Sequence, residues 1–167
     1  TFTAAVTGTI SVHGVNAQCG AGPESQAITV EVLENSVPTL SGDNNLCVGT
    51  SGIVYTTEAG KFNYVWTVSS GGTITAGGTS TSNTVTVTWN TAVSGSVSVS
   101  YTGPPPMNCT SGSPTVYNVT VNPLPVPVIN GPATPCVNST GNVYTTASGM
   151  SGYIWTVSIG GIITSGL

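Results

Sequence analysis

Beyond its hydroxyl side chains, this 167-residue chain offers only four cysteines, one histidine, five carboxylates and one lysine for nucleophilic, acid–base or metal chemistry. The cysteines stand at positions 19, 47, 109 and 136, with no CxxC pair of the kind that holds zinc. A disulfide framework suits them better, and four cysteines allow three pairings. Cys47 falls between the first two strands expected of its unit and Cys109 between the last two, so a Cys47–Cys109 bridge is expected. Closing a loop of about 60 residues, it would contribute roughly 3–4 kcal/mol through chain entropy. Cys19 and Cys136 would then pair beyond residues 1–167.

The other titratable groups do not gather. A nucleophilic triad would need His13 and Asp43 beside a serine, yet they belong to different repeats and give way to Ser100 and Pro132 in the following ones. Glu24, Glu31 and Glu34 are strung along one terminal hairpin, and Glu58 becomes Ala147 in the next repeat. Gly71, Gly72, Gly77 and Gly78 are not followed by the Lys-Ser/Thr of a phosphate loop and read as hairpin glycines. Asp43-Asn44-Asn45 has the oxygen ligands that calcium favours, but a single carboxylate fits an Asx-capped turn better. The sequons at Asn108, Asn118 and Asn138 read as Thr-rich strand sequence left bare. No catalytic residue, cofactor or metal site is expected, and the chain reads as non-enzymatic.

Net charge is −4, with Lys61 the only Lys or Arg. Such a surface cannot neutralise a row of phosphates, which excludes a nucleic-acid partner, and it offers no basic stripe for anionic membranes. No run of about 20 apolar residues could span a bilayer. Neither terminus has the basic and apolar regions of a signal peptide, so any export signal is expected outside these residues.

Self-similarity organises the whole chain. The segment CVGTSGIVYTTEAGKFNYVWTVSSGGTIT from Cys47 returns, without a gap, as CVNSTGNVYTTASGMSGYIWTVSIGGIIT from Cys136. Cys47 and Cys136, Tyr55 and Tyr144, and Trp66 and Trp155 are each 89 residues apart. Likewise TISVHGVNAQCGAGPESQAITVEV from Thr9 matches SVSVSYTGPPPMNCTSGSPTVYNVTV from Ser96. Residues 1–35 therefore read as the last strands of a first repeat, 36–125 as a complete repeat, and 126–167 as the first half of a third. The Pro-bearing joints ENSVPTLSG and NPLPVPVINGP favour semi-rigid connections. Leu167 matches Gly78 and Thr1 roughly matches Thr88, so an excerpt from a longer array is expected.

Within the complete repeat, TVTVTW (84–89) places Val85, Val87 and Trp89 on one face. SVSVSY (96–101) does the same for Val97, Val99 and Tyr101, and Tyr117, Val119 and Val121 follow suit. Further strands are expected over 53–57, 64–69 and 72–75, with a first one beginning at 38–40. About seven short strands in ~90 residues, with no helical period, predict an all-β, Ig-like antiparallel sandwich. Its core should hold Tyr55, Trp66, Trp89 and the valines at 85, 87, 97, 99, 119 and 121, with Trp155 the counterpart of Trp66. Aromatics that alternate with valine belong mostly to the core, which weakens a sugar-stacking platform.

The phrases CVGTSGIVYTTEAG, YVWTVSSGGTITAGG, TSNTVTVTWN and SPTVYNVTVNPLPVP resemble the PKD-like, Ig-like tandem repeats of large secreted Bacteroidetes surface proteins, including gliding-motility adhesins. The resemblance spans essentially the whole chain. The Trp-Asp-Phe-Gly-Asp-Gly stretch of strict PKD domains is replaced after Trp66 by Thr67-Val68-Ser69. What the resemblance implies is type IX export to the outer surface of a Gram-negative bacterium, in a disulfide-stapled stalk, spacer or adhesin. Its partners would be neighbouring repeats, other copies or surface polysaccharide. A self-assembling filament, or accessory modules of a secreted hydrolase, are the alternatives.

Overall fold

The computed structural model describes residues 6–33, 35–105 and 108–166, and Glu34 lies outside them. Eleven strands occur among the described residues: β1 (Thr7–Ile10), β2 (Val15–Asn16), β3 (Gly20–Ala21), β4 (Ile28–Glu31), β5 (Asn45–Cys47), β6 (Ile53–Thr56), β7 (Phe62–Val68), β8 (Gly72–Gly77), β9 (Thr84–Trp89), β10 (Gly95–Thr102) and β11 (Thr115–Asn122). The chain divides into two compact units, Thr1–Leu124 and Pro125–Leu167.

Strands β5 to β11 form the sandwich that the alternating pattern demands. One sheet has the order β6-β9-β8 and the other β5-β11-β10-β7. Because successive side chains of a strand point to opposite faces, each Val row turns inward and each Thr or Ser row outward. Tyr55, Val85, Val87, Trp89, Val97 and Val99 lose all solvent contact, and Trp66, Val119 and Val121 are buried beside them. Leu46, Tyr64 and Tyr101 complete the core. Tyr55 meets Tyr117 edge-on with ring centroids 6.0 Å apart, and Tyr64 meets Tyr101 likewise at 5.8 Å. Buried polar tips need partners. The Trp89 indole N–H donates to the Tyr55 hydroxyl (3.1 Å), which donates to the Asp43 carbonyl (2.9 Å).

Two expectations need correcting. Residues 38–40 form no strand, and the first strand of the sandwich is β5. Pro38 has no N–H to give a ladder; its carbonyl instead accepts a hydrogen bond from the Thr115 hydroxyl (2.5 Å). The sandwich is also not wholly antiparallel. β5 runs parallel to β11, with Asn45, Leu46 and Cys47 opposite Thr120, Val121 and Asn122.

The 89-residue period holds in the backbone. Positive φ angles occur at Gly49, Gly52, Gly60, Asn63, Gly71 and Gly77, and again at Asn138, Gly141, Gly149, Gly152, Gly160 and Gly166. Paired Ser41–Thr56 hydrogen bonds in the complete repeat are matched by paired Asn130–Thr145 bonds in the second unit. The β1–β4 hairpin, in which Gly8 faces Val30 and Thr9 faces Thr29, matches β10–β11, in which Gly95 faces Val119 and Ser96 faces Asn118. Side-chain burial does not repeat in the same way. Trp155 remains half-buried and Tyr144 is 43 % exposed, whereas their counterparts are core residues. No strand occurs among the described residues of that second unit.

Candidate functional site

No disulfide joins any two of the four cysteines; Cys19, Cys47 and Cys136 are exposed and Cys109 is half-buried. The expected Cys47–Cys109 bridge is absent, and the sheet explains why. First and last strands are indeed neighbours, but a parallel pair places the loop after β5 and the loop before β11 at opposite ends. Cys47 pairs with Asn122, beyond the Gly95 end of β10, while the Cys109 carbonyl accepts from the Gly103 N–H beyond the Thr102 end. The eight residues of β10 alone span about 26 Å at ~3.3 Å per residue. A disulfide tolerates roughly 7 Å between Cα atoms.

The remaining candidates stay dispersed. His13 is exposed between β1 and β2, while Asp43 precedes β5. Glu24 accepts from the Ser11 hydroxyl (3.0 Å) across its own hairpin. The Asn45 side-chain oxygen, which could have served a calcium ion, instead accepts from the Asn122 amide (2.7 Å), so the expected Asx-capped turn gives way to strand β5. No group of three His, Cys, Asp or Glu side chains suited to a metal occurs among the described residues. Gly77 and Gly78 do form a hairpin turn, between β8 and β9, but Gly71 and Gly72 carry the chain from one sheet to the other. Asn118 faces outward on β11, and Asn138 takes the left-handed conformation held by Gly49 one repeat earlier. The large aromatics of the complete repeat are mostly in the core, so Phe62, 48 % exposed, is the ring most open to a ligand.

One polar constellation was not anticipated. The Glu58 carboxylate accepts from the Thr39 N–H (3.0 and 3.2 Å), the Thr39 hydroxyl (2.5 Å) and the Thr57 hydroxyl (2.7 Å). Desolvation, the largest single influence, raises its pKa. Together the Thr39 and Thr57 side chains and the backbone N–H groups of Glu58 and Thr39 outweigh that, holding it at about 2. Beside it, the Tyr64 hydroxyl donates to the Glu58 carbonyl (2.7 Å) and the Lys61 ammonium lies 5.5 Å from the centre of the Tyr101 ring. Burial first, and then the nearby Glu58 carboxylate, push the Tyr101 phenol up to about 12. The Thr39 and Thr57 hydrogen bonds to the carboxylate fasten the incoming chain to the β6–β7 turn. The cluster acts as a brace between these two segments. Composition gave no signal for it, because the next repeat has alanine there.

These observations define a class: an all-β, Ig-like sandwich module in a repeated series, whose polar side chains hold its own backbone together. The chain belongs to the PKD-like domain family, whose model matches residues 34–119 and 122–167. Domains of that family are typically non-catalytic and commonly extracellular. No curated protein matches the chain. No helix among the described residues is long and apolar enough to cross a membrane.

Proposed function

We propose that this chain is a stretch of the repetitive stalk or spacer of a large cell-surface protein, with adhesive function carried by the array or its tip. Residues 1–35, 36–125 and 126–167 would supply the end of one repeat, a whole repeat and the start of another. The observation that supports this most is the return of the same backbone at 89-residue spacing, down to six matched positive φ angles, with Glu58 not retained. A repeated frame without a repeated polar site suits a scaffold, whose stability accumulates along the row. Export by the type IX route to the outer surface of a Gram-negative bacterium, in a gliding adhesin or a relative of one, follows from the sequence resemblance. Antibodies raised against residues 36–125 should label intact cells, and protease added outside should remove the signal. Labelling that needs cell lysis would overturn the reading. A self-assembling filament is favoured by one feature, the six-residue uncharged edge of β8. Scattering from the purified chain at high concentration distinguishes the two, a monodisperse species counting against assembly.

A further inference from the structure

We propose that the cysteines staple neighbouring repeats to one another: the thiol at the Cys47 position of one repeat bonds to the thiol at the Cys109 position of the repeat that follows. The two cysteines of the complete repeat lie at its opposite ends. Cys47 stands opposite Asn122, the last residue of β11, and Pro123 then begins the joint to the next repeat. Leu46 faces the core, so the Cys47 side chain points outward and is exposed. Cys109 lies at the other end, just before Thr110, which pairs with the last residue of β10, Thr102. The chain from the preceding repeat arrives there. A Cβ built on Gly112 would lie 3.8 Å from the Asn35 side-chain nitrogen, and the Pro38 carbonyl accepts from the Thr115 hydroxyl.

Each joint therefore gathers one thiol of each kind. Leu33 is the counterpart of Asn122, so the Cys47 position of the preceding repeat falls about 5 Å from Leu33, across a strand pair. From Leu33 to Asn35 the chain advances at most about 7 Å, and Asn35 already adjoins the Cys109 loop. Within one repeat, by contrast, all of β10 separates the two cysteines, several times the roughly 7 Å that a disulfide tolerates. Cys19, the counterpart of Cys109, lines an open recess with Gly14, Val15, Asn16, Gly20 and Ala21, which gives a partner side chain access. On this pairing Cys19 and Cys109 bond backward along the array, and Cys47 and Cys136 bond forward. Each bond forms by thiol–disulfide exchange: two thiols give up two protons and two electrons to an external disulfide, which is cleaved to two thiols.

The inference rests on the array reading for a repeat on either side of residues 36–125. The test uses the full-length protein, purified, treated with oxidised glutathione, alkylated, digested without reduction and mapped by mass spectrometry. The Cys47 peptide should be joined to a peptide of the following repeat, and the Cys109 peptide to one of the preceding repeat. Cys47→Ser gives the sharper arm, since it alters only an exposed side chain. In that variant Cys109 should stay protected from alkylation, while one cysteine of the following repeat gains the label. A Cys47–Cys109 linkage, label on Cys109 in the Cys47→Ser protein, or label or glutathione on both cysteines of the parent protein would overturn the staple. A full-length sequence without a cysteine-bearing repeat after residue 167 would overturn it together with the array reading. Failed cell-surface labelling, in contrast, leaves the map of the oxidised protein standing.

Discussion

Alanine at Gly95 isolates what the buried indole of Trp89 demands of its surroundings. Gly95 opens β10 opposite Val119, with a backbone any residue can adopt. Alanine there would ordinarily help by about 0.4–1 kcal/mol, because it restricts the unfolded chain. A Cβ at Gly95, however, would run into Trp89 Cζ3 and lie 2.8 Å from both Trp89 Cη2 and Ser69 Oγ. The ring cannot swing aside, since it is wholly buried and its N–H is engaged by Tyr55. Overpacking of this kind costs about 1–3 kcal/mol, so the net effect should be a loss of roughly 1–2 kcal/mol. Gly8 provides the control: it faces Val30 as Gly95 faces Val119, yet nothing lies within 4 Å of its added Cβ. Urea unfolding followed by tryptophan fluorescence should show Gly95→Ala with a lower midpoint and Gly8→Ala with one equal to or slightly above that of the parent chain. A midpoint for Gly95→Ala at or above that of the parent chain would refute the argument.

Gly42→Ala should be harsher, by about 2–4 kcal/mol, because its Cβ would meet Tyr55 Cδ1 at 2.5 Å and its φ of 156° disfavours a side chain; the same urea titration reads it. Glu58 has a pKa of about 2 when folded against an ordinary 4.5, so protonation favours the unfolded chain. Its contribution is complete above about 4.5 and fades as pH falls towards 2. Glu58→Gln should cost about 1 kcal/mol near neutral pH, the carboxylate being partly exposed. It should also flatten stability over that acid window, and thermal melts across pH test both. With the thiols free, Cys47→Ser and Cys109→Ser should each shift unfolding by less than about 0.5 kcal/mol, and a reductant should do nothing. A loss of roughly 3 kcal/mol on reduction would restore the bridge.

The strands that position the core were legible because their residues alternate strictly. TVTVTW can bury Val85, Val87 and Trp89 together only as an extended strand, and the structure buries all three. β5 was not legible. It has three residues, one of them buried, and its direction is set by Thr115 and Tyr117 reaching Pro38 and Gly42, contacts 75 and 77 residues apart in the chain. No local pattern encodes such a pairing. The disulfide expectation has the same weakness, since it relied on the nearness of two strands and was silent on their direction.

The repeats also separate two kinds of polar bond. The Tyr55 hydroxyl donates to the Asp43 carbonyl and its counterpart Tyr144 to the Pro132 carbonyl, both at 2.9 Å. The Tyr64 hydroxyl donates to the Glu58 carbonyl and Tyr153 to the Ala147 carbonyl, at 2.7 and 2.6 Å. The acceptor residue changes in each case, from Asp to Pro and from Glu to Ala, and the bond survives because every residue has a carbonyl. Bonds to the Glu58 carboxylate have no such latitude and vanish with the side chain. A frame tied by tyrosines to backbone acceptors lets surface residues vary from repeat to repeat without moving a strand.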